Sequence, residues 1–132
     1  MQDDPRYDSV VVEVRDFLAE RMADAEGAGI PRERIILDPG FGFGKTDPHN
    51  ARLLAGLAEI CDLGVPVLAG LSRKSLVGRV LGRALPERLA GSVAAAAIAT
   101  CNGARIIRAH DVAETVDAVR LAEYVQAGGS ET

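Results

Sequence analysis

The sequence lacks several features that would point to a metal, nucleic-acid or membrane protein. It has only two cysteines, Cys61 and Cys101, and no Cys-x-x-Cys or Cys/His spacing of the kind that holds structural zinc. The net charge of -4 at pH 7 and the sequence pI near 5.1, without any run of basic residues, argue against a surface for nucleic acid. No apolar stretch has the length that crosses a bilayer.

The residues that are present favour one cytoplasmic domain. The chain has 132 residues, 48% of them hydrophobic, which is enough for a single domain over residues 1–132 with its own core. Residues 1–4 are too acidic for the first region of a signal peptide. We therefore expect a soluble protein of the reducing cytosol, with both thiols buried in helices as small hydrophobic side chains.

One glycine-rich stretch, DPGFGFGKT at residues 38–46, invites comparison with a phosphate-binding P-loop. That motif requires glycine, any four residues and then Gly-Lys-Ser/Thr, so that successive backbone N–H groups surround a phosphate. Counting back from Gly44 puts the first glycine at position 39, which is Pro39, a residue without an N–H. The P-loop interpretation therefore fails on register. Lys45 and Thr46 are then expected to be solvated loop residues.

Three β-prone apolar runs occur along the chain, at residues 35–37, 65–71 and 104–109. The middle run, VPVLAGL, is apolar throughout, as expected of a parallel strand that is covered on both faces. Because helical segments separate the runs, the strands are expected to be parallel with right-handed connections. The predicted fold class is α/β, with three parallel strands, the middle run in the centre, and flanking helices.

Helical periodicity separates and flanks these runs. The first helix is predicted over about residues 7–26, and the apolar residues at helical spacing on it are Val10, Val11, Val14, Phe17, Leu18 and Met22. Asp47 is the predicted N-cap of a second helix, which Gly64 ends. Further helices are predicted near residues 74–81 and 86–101. Asp111, with Glu114 three residues later, predicts a capping box for the last helix.

Polar residues follow each predicted strand at the point where it ends. They are Asp38 after the first strand, SRKS at residues 72–75 after the second, and Arg108 and His110 in the third. The carboxyl ends of parallel strands meet at one edge of a sheet, where α/β folds hold their ligands. Arg108 and His110 are two residues apart and so point to the same side of their strand. We expect these side chains to lie close together.

Each of these residues also has an ordinary structural interpretation. Asp38 could form a turn before Pro-Gly, but its carboxylate could equally accept two parallel N–H bonds from a heterocycle. Residues 72–75 could be a charged helix start, although their two cations oppose the helix dipole and favour an anion site. Charge on a buried strand, as at Arg108, is costly unless a ligand or counter-ion uses it. His49 and Arg105 are expected to be ordinary surface residues.

The motifs LDPGFGFGKT with the following HN, GLSRKS and RAHDV, in this order and at these spacings, resemble dihydropteroate synthase. The opening MQDDPRY is similar to the Met-Gln loop after the fifth strand of that family's barrel, so the resemblance covers essentially the whole chain. It implies the C-terminal part of a (β/α)8 TIM barrel, namely the last three βα units and the preceding helix. It also implies a transferase of folate biosynthesis, which condenses 6-hydroxymethyl-7,8-dihydropterin diphosphate with 4-aminobenzoate to give 7,8-dihydropteroate and diphosphate.

The resemblance implies how five residues would bind the two substrates. Asp38 would bind the amino and ring N–H edge of the pterin. Gly70 and Lys74 would border the pterin, with Lys74 reaching its carbonyl and ring nitrogen. Phe43 would flank the ring of the aminobenzoate, and Ser75 would bind its carboxylate.

The resemblance also implies how the leaving group would be held. Arg108 would lie against the pterin and, with His110, bind the departing diphosphate, whose negative charge it would stabilise. The implied catalytic residues are Lys74, Arg108 and His110. The implied substrate-binding residues are Asp38, Phe43, Gly70, Lys74, Ser75, Arg108 and His110. The family implies Mg2+ as a cofactor, with its protein ligand in an N-terminal half that these residues do not include, so no metal ligand is predicted here.

Three hypotheses remain open at this point. A barrel of this family takes about 250 residues, so we expect the chain to be the C-terminal half of the enzyme, doubtful as a catalyst alone, with a homodimer or a complementing N-terminal half as its partner. A second hypothesis is a non-catalytic pterin-binding or dimerisation module. The third is a fragment of a pterin-binding methyltransferase, which SRKS and the Arg-x-His pair disfavour because a methyl-carrying pterin has no diphosphate.

Overall fold

The computed structural model describes residues 7–129, so the first six residues of the MQDDPRY segment, and the resemblance based on them, lie outside it. The described part contains helices, two short strands and two 3-10 turns, at Arg32–Arg34 and Leu85–Glu87. The helices and strands are α1 (Val10–Gly27), α2 (Asp47–Ala55), α3 (Leu57–Cys61), β1 (Leu68–Ala69), α4 (Ser75–Leu81), α5 (Leu89–Cys101), β2 (Ile106–Ile107) and α6 (Val112–Gln126). The prediction of a mixed α/β fold is confirmed.

The sheet is parallel but smaller than predicted. β1 pairs with β2 in the register Leu68 to Ile106 and Ala69 to Ile107. The first predicted strand, at residues 35–37, is reduced to one parallel bridge between Leu37 and Val67. Pro66 and Pro39, which have no N–H to donate, lie beside this bridge and limit the pairing. The segments nevertheless lie in the predicted order, with the middle run in the centre.

The hydrophobic core lies between α1, the α2–α3 pair and the central strand segment. α1 contributes one buried face with four-residue spacing, as its pattern predicts, through Val10, Val14, Leu18 and Met22. Phe17 does not join this face, because its side chain is 61% exposed. The largest fully buried side chains are Phe41, Leu53, Leu57, Ile60 and Val67. Phe41 therefore anchors the loop at residues 38–46 in the core.

Two helix caps differ from the prediction. Thr46, not Asp47, caps α2: its hydroxyl accepts from the N–H of His49, whose ring Nδ1 accepts from the N–H of Thr46. The carboxylate of Asp47 instead accepts two hydrogen bonds from Arg79 in α4, from Nε at 2.7 Å and from Nη2 at 3.0 Å. Asp111 precedes α6 without a side-chain capping bond. Its carboxylate binds Arg73 instead, at 3.0 Å.

The two thiols are less buried than predicted. Cys61 is half-buried, and burial raises the pKa of its thiol, while Cys101 is exposed on the surface of α5. Both are free cysteines. Within residues 7–129, no helix combines the length and the apolar character needed to cross a bilayer.

Candidate functional site

The glycine-rich loop at residues 38–46 is held by hydrogen bonds from its main chain to side chains of the loop and of α2. The N–H of Gly40 donates to Asp38 Oδ1, and the N–H of Gly42 donates to Asn50 Oδ1, both at 2.9 Å. Gly40 and Gly42 have φ of +73° and +86°, values that side-chain-bearing residues rarely adopt. Because protein oxygens already accept these N–H groups, they cannot surround a phosphate as in a P-loop.

Lys45 closes this loop on itself. Its Nζ donates to the carbonyl oxygens of Gly40 at 2.9 Å and Phe43 at 3.0 Å. Burial lowers the pKa of Lys45, while the nearby charge of Asp38 acts in the opposite direction. The prediction that Lys45 is a solvated loop residue is therefore wrong. The GKT sequence stabilises a turn with its lysine and caps a helix with its threonine.

Lys74 reaches into the same loop from the opposite side. Its Nζ donates to the carbonyl oxygen of Phe41 and lies 5.0 Å from the centroid of the Phe43 ring. Burial is the main cause that lowers the pKa of Lys74, and the charges of Arg108 and Lys45 lower it further. The Lys74 ammonium is thus half-buried, and partial removal from water strengthens the attraction between an ammonium and an acceptor.

A cavity of about 390 Å³ opens beside Lys74. Its size falls within the range of about 300 to 1,000 Å³ that is usual for small-molecule sites. The lining includes Phe41, Phe43, Leu71, Lys74, Ser75 and Arg79. Three of the predicted site residues, Phe43, Lys74 and Ser75, thus share one cavity with aromatic, cationic and hydroxyl groups. The ion pair between Arg79 and Asp47 connects α4 to α2 at this cavity.

Asp38, Gly70 and Arg108 form a second group of predicted residues. Arg108 Nη1 lies 3.5 Å from Asp38 Oδ2, and both side chains are partly exposed. The Arg108 guanidinium lies against the main chain of Gly70, where an added Cβ would stand 2.5 Å from Nη2. The cavity lining includes Lys74, on whose pKa the charges of Asp38 and Arg108 both act.

His110 occupies a position next to the loop that follows β1. Its ring Nδ1 lies 2.8 Å from Ser72 Oγ, and its backbone N–H donates to the same oxygen at 3.2 Å. The structure thus brings Arg108 to Asp38 and His110 to Ser72, at the edge where the strands end. His110 is exposed, and Ser72 occupies only one nitrogen of its ring, Nδ1. The other ring nitrogen, Nε2, is the one that could contact a ligand.

Sequence reasoning assigned no individual role to three residues that shape this site, although Asn50 and Arg73 lie in the HN and SRKS motifs. Asn50 is buried and holds Gly42, and Arg73 carries a left-handed backbone directly before Lys74. His49, predicted to be an ordinary surface residue, caps α2 and contacts the ring of Tyr7 edge to face. An Asn shortly after an Asp-Pro helix start was the available signal for Asn50. No local signal in the sequence marks the left-handed backbone of Arg73.

The arrangement suits a flat heterocycle beside an anion. A carboxylate at Asp38 can accept from an N–H edge, an ammonium at Lys74 can donate to a ring acceptor, and a guanidinium at Arg108 can bind phosphate oxygens. The exposed ring of Phe43 offers one flat surface, and the Arg108 guanidinium that lies against Gly70 offers another. Among residues 7–129, no group of three or more His, Cys, Asp or Glu residues could hold a metal ion.

Comparison with known proteins agrees with this chemistry. Residues 1–110 match the family described as pterin binding enzyme. The chain is 52% identical over 123 residues to the dihydropteroate synthase of Escherichia coli (strain K12), and the match covers 93% of this chain and 44% of that protein. The resemblance to dihydropteroate synthase is confirmed, and the chain spans less than half the length of this relative.

Solved structures give the same result. The dihydropteroate synthase of Xanthomonas albilineans in complex with 7,8-dihydropteroate is 57% identical, with a TM-score of 0.89 over 93% of this chain and 49% of that one. The same enzyme with 4-aminobenzoic acid is 55% identical, with a TM-score of 0.90 over 95% and 46%. The Stenotrophomonas maltophilia enzyme with imidazole in its active site is 53% identical, with a TM-score of 0.92 over 96% and 48%.

Proposed function

Because the chain belongs to the pterin binding enzyme family, we propose that it carries the C-terminal part of a dihydropteroate synthase. The reaction would condense 6-hydroxymethyl-7,8-dihydropterin diphosphate with 4-aminobenzoate in folate biosynthesis. The Xanthomonas albilineans enzyme, which is similar to this chain, has been solved with 7,8-dihydropteroate and with 4-aminobenzoic acid. The observation that carries the proposal is that Asp38 pairs with Arg108 and that both charges act on Lys74, which lines the cavity.

We further propose that residues 1–132 form the last three βα units of a (β/α)8 barrel together with the preceding helix. The parallel order of Leu37, Val67 and Ile106 supports this assignment. So does the position of the polar residues at the ends of these segments, where such barrels place their active sites. In this proposal the segment around Leu37 lengthens into a full strand when the neighbouring strand of the barrel pairs with it.

The pterin would bind against Asp38, Gly70 and Arg108. The carboxylate of Asp38 would accept N–H bonds from the amino group and ring edge, while Gly70 leaves room for the Arg108 guanidinium, against which the pterin would lie. Lys74 would donate to the pterin carbonyl and ring nitrogen, exchanging its bond to the Phe41 carbonyl for one to the ligand. The lowered pKa of Lys74 indicates an ammonium that gains from a new acceptor.

The aminobenzoate would occupy the cavity beside Lys74. The ring of Phe43 is 64% exposed and can flank the ring of the substrate. The hydroxyl of Ser75, the first residue of α4, can donate to its carboxylate. Phe41, in contrast, belongs to the core and forms the floor of the loop.

The diphosphate would bind at Arg108 and His110. The bond between the pterin methylene carbon and the diphosphate oxygen breaks, and its electron pair leaves with the diphosphate. The nitrogen of the aminobenzoate donates its electron pair to that carbon, forms the new C–N bond and then loses a proton. Cations near the leaving oxygen favour this step, so no side-chain nucleophile is required. Arg108, His110 and Lys74 are the catalytic residues of this proposal.

Magnesium does not fit the described residues as a protein-bound ion. Asp38 pairs with Arg108, and Asp111, the residue after His110, pairs with Arg73, so both carboxylates beside the proposed diphosphate position already have a cationic partner. Residues 7–129 offer no group of three His, Cys, Asp or Glu side chains for a cation. We therefore assign no residue of this chain to magnesium, which in this proposal would be held by the diphosphate and by protein outside these residues.

The remaining substrate contacts would come from outside residues 1–132, because the chain spans about 44% of the E. coli relative. We propose a second copy of the chain or a complementing N-terminal half as the protein partner. Exposed apolar side chains on α6, including Leu121, Tyr124 and Val125, support an additional contact of this kind. A pterin-binding module without catalysis is the second candidate, because the chain spans only about 44% of the length of the E. coli relative.

Calorimetry with the pterin diphosphate, followed by an assay for dihydropteroate, tests the proposal. Asp38→Ala and Lys74→Ala should each weaken binding by about tenfold or more, the effect of removing a hydrogen bond to a charged group. Arg34→Ala is the matched control; Arg32 is unsuitable because it donates to the carbonyl of Leu63. Equal losses in all three variants would contradict the site. Binding without turnover, in protein complemented by an N-terminal half, would favour the non-catalytic module.

A further inference from the structure

Arg73 has an unusual backbone for a residue with a side chain. Its φ is +58°, and within residues 7–129 it is the only residue other than glycine with a positive φ. The left-handed conformation is disfavoured for such a residue, because its Cβ comes too close to the following carbonyl oxygen. Arg73 lies between β1 and α4, directly before Lys74 and two residues before Ser75. The strain therefore lies where the chain turns into the proposed substrate cavity.

Three contacts hold Arg73 in this conformation. Its N–H donates to Ser92 Oγ at 2.9 Å, and its carbonyl accepts from Arg88 Nη1 at 2.9 Å. Its own Nη2 donates to Asp111 Oδ1 at 3.0 Å. Both polar groups of its peptide backbone and its side chain are thus bound to other parts of the fold, which is what allows a strained residue to persist.

The residues that make these contacts are themselves fixed. Ser92 is only 5% exposed, and its hydroxyl donates to the carbonyl of Arg88 at 2.6 Å. Arg88 lies across Gly78 of α4, so closely that a Cβ on Gly78 would collide with its guanidinium. The start of α5 therefore forms a rigid support for the turn.

We propose that Ser92, Arg88 and Asp111 are positioning residues, which hold Arg73 left-handed so that Lys74 and Ser75 enter the cavity. This inference rests on the proposed function for the roles of Lys74 and Ser75. The turn that it protects is closed by the Lys74 N–H, which donates to the Leu71 carbonyl at 3.2 Å. When the turn relaxes, the Lys74 ammonium loses its fixed distance to the ligand.

The contact with Asp111 extends the effect to His110. Two adjacent pairs join the loop after β1 to the loop after β2, namely Ser72 with His110 and Arg73 with Asp111. Asp111 thus ties the aminobenzoate side of the site to the diphosphate side. Loss of Asp111 should disturb both, whereas loss of Ser92 should act through Arg73 alone.

The test compares Ser92→Ala with Thr100→Val in the chain complemented by an N-terminal half. Both residues are buried on α5, and each hydroxyl donates to the carbonyl four residues earlier, but Thr100 has no contact with Arg73. The readouts are the melting temperature, the exchange rate of the Lys74 amide by NMR, and kcat and KM for both substrates. Ser92→Thr restores the hydroxyl and serves as the rescue.

Ser92→Ala is expected to speed Lys74 amide exchange by about tenfold and to lower kcat/KM by a similar factor, a loss that corresponds to about 1.4 kcal/mol. Its melting temperature should match that of Thr100→Val, which leaves the other two readouts unchanged, and Ser92→Thr should restore both. Equal effects of Ser92→Ala and Thr100→Val on exchange and kcat/KM would overturn the proposal.

Two further outcomes keep the inference separate from the proposed function. Faster Lys74 exchange in Ser92→Ala, in a protein that makes no dihydropteroate even when complemented by an N-terminal half, supports the positioning contacts and counts against the synthase. If Ser92→Ala does not fold, Asp111→Ala replaces it, because that partly exposed carboxylate can be removed without emptying the core. Unchanged Lys74 exchange in folded Asp111→Ala would then overturn the proposal.

Discussion

The guanidinium of Arg108 lies flat against the main chain of Gly70, in the space that any other residue would fill with a side chain. A Cβ at Gly70 would stand 2.5 Å from Nη2 and 2.9 Å from Cζ of Arg108. The contact therefore depends on glycine for room, while Gly70 needs no left-handed backbone. This relationship fixes where Arg108 meets the carboxylate of Asp38.

Gly70→Ala should displace Arg108 and weaken pterin diphosphate binding by about tenfold. Arg108 is partly exposed and can move into solvent, so unfolding free energy should change by less than about 0.5 kcal/mol. Calorimetry and urea unfolding measure the two effects. Gly27→Ala is the control, because nothing lies within 4 Å of its added Cβ and binding should be unchanged. A Gly70→Ala variant that binds as tightly as wild type would remove Arg108 from the pterin site.

Lys45→Met should destabilise the fold by about 1 to 2 kcal/mol, because its ammonium holds two carbonyl oxygens of the glycine-rich loop. Arg15→Met, which removes only a weak surface pair with Asp16, should change stability by less than 0.5 kcal/mol, or about the error of the measurement. Urea unfolding compares the two variants. Equal costs, together with nucleotide binding that Lys45→Met abolishes, would restore the P-loop interpretation that the register excludes.

The pKa of Lys74 should respond in opposite directions to its two charged neighbours. Arg108→Met removes a positive charge and should raise the pKa towards 10.5, whereas Asp38→Asn removes a negative charge and should lower it. NMR titration of the carbon next to Nζ measures both shifts, and Arg79→Met is the control. Shifts in the same direction would show that neither charge acts on Lys74 as the geometry implies.

The lowered pKa of Lys74 also gives stability a pH dependence of known sign. Between the folded pKa and 10.5 the unfolded chain holds a proton on Lys74 that the folded chain has lost, so the free energy of unfolding rises with pH in this window. Below the folded pKa, Lys74 is charged in both states and the cost of its burial is fully present. Lys74→Met should reduce this rise to the part that Lys45 contributes, because the pKa of Lys45 is lowered as well, and unfolding measured at several alkaline pH values would detect the difference.

Much of the fold could be predicted from the sequence because apolar residues recur at regular spacing within each helix. The face of α1 recurs every four residues from Val10 to Met22, and such a pattern has one solution in a folded chain. Strand length could not be predicted, because pairing at Leu37 depends on a distant partner and on Pro66 beside it. The parallel order survives because the helices between the segments determine it.

The site was predictable in its residues and not in their contacts. Asp38 and Arg108 were found because they follow strands, but the role of Lys45 depends on carbonyl groups that only the folded loop turns towards it. Arg73 was noted as a cation of SRKS, but its left-handed backbone could not be predicted, because arginine has no preference for that conformation. Its conformation is imposed by Ser92, Arg88 and Asp111, which lie far from it in sequence.

Phe41 and Phe43 provide the sharpest test of the glycine-rich loop, since they are identical residues two positions apart with opposite environments. Phe41 is 1% exposed in the core, and Phe43 is 64% exposed at the cavity. Phe41→Ala should destabilise the fold by about 3 to 5 kcal/mol, the usual cost of emptying a phenylalanine site. Phe43→Ala should leave the free energy of unfolding within about 0.5 kcal/mol of wild type. It should weaken 4-aminobenzoate binding by about fivefold, since a stacked ring contributes roughly 1 kcal/mol. Urea unfolding and calorimetry separate these effects, with Phe17→Ala, another exposed phenylalanine, as the control for both. The same loss of stability in both loop variants, or unchanged binding in Phe43→Ala, would mean that Phe43 packs within the protein and does not flank the substrate.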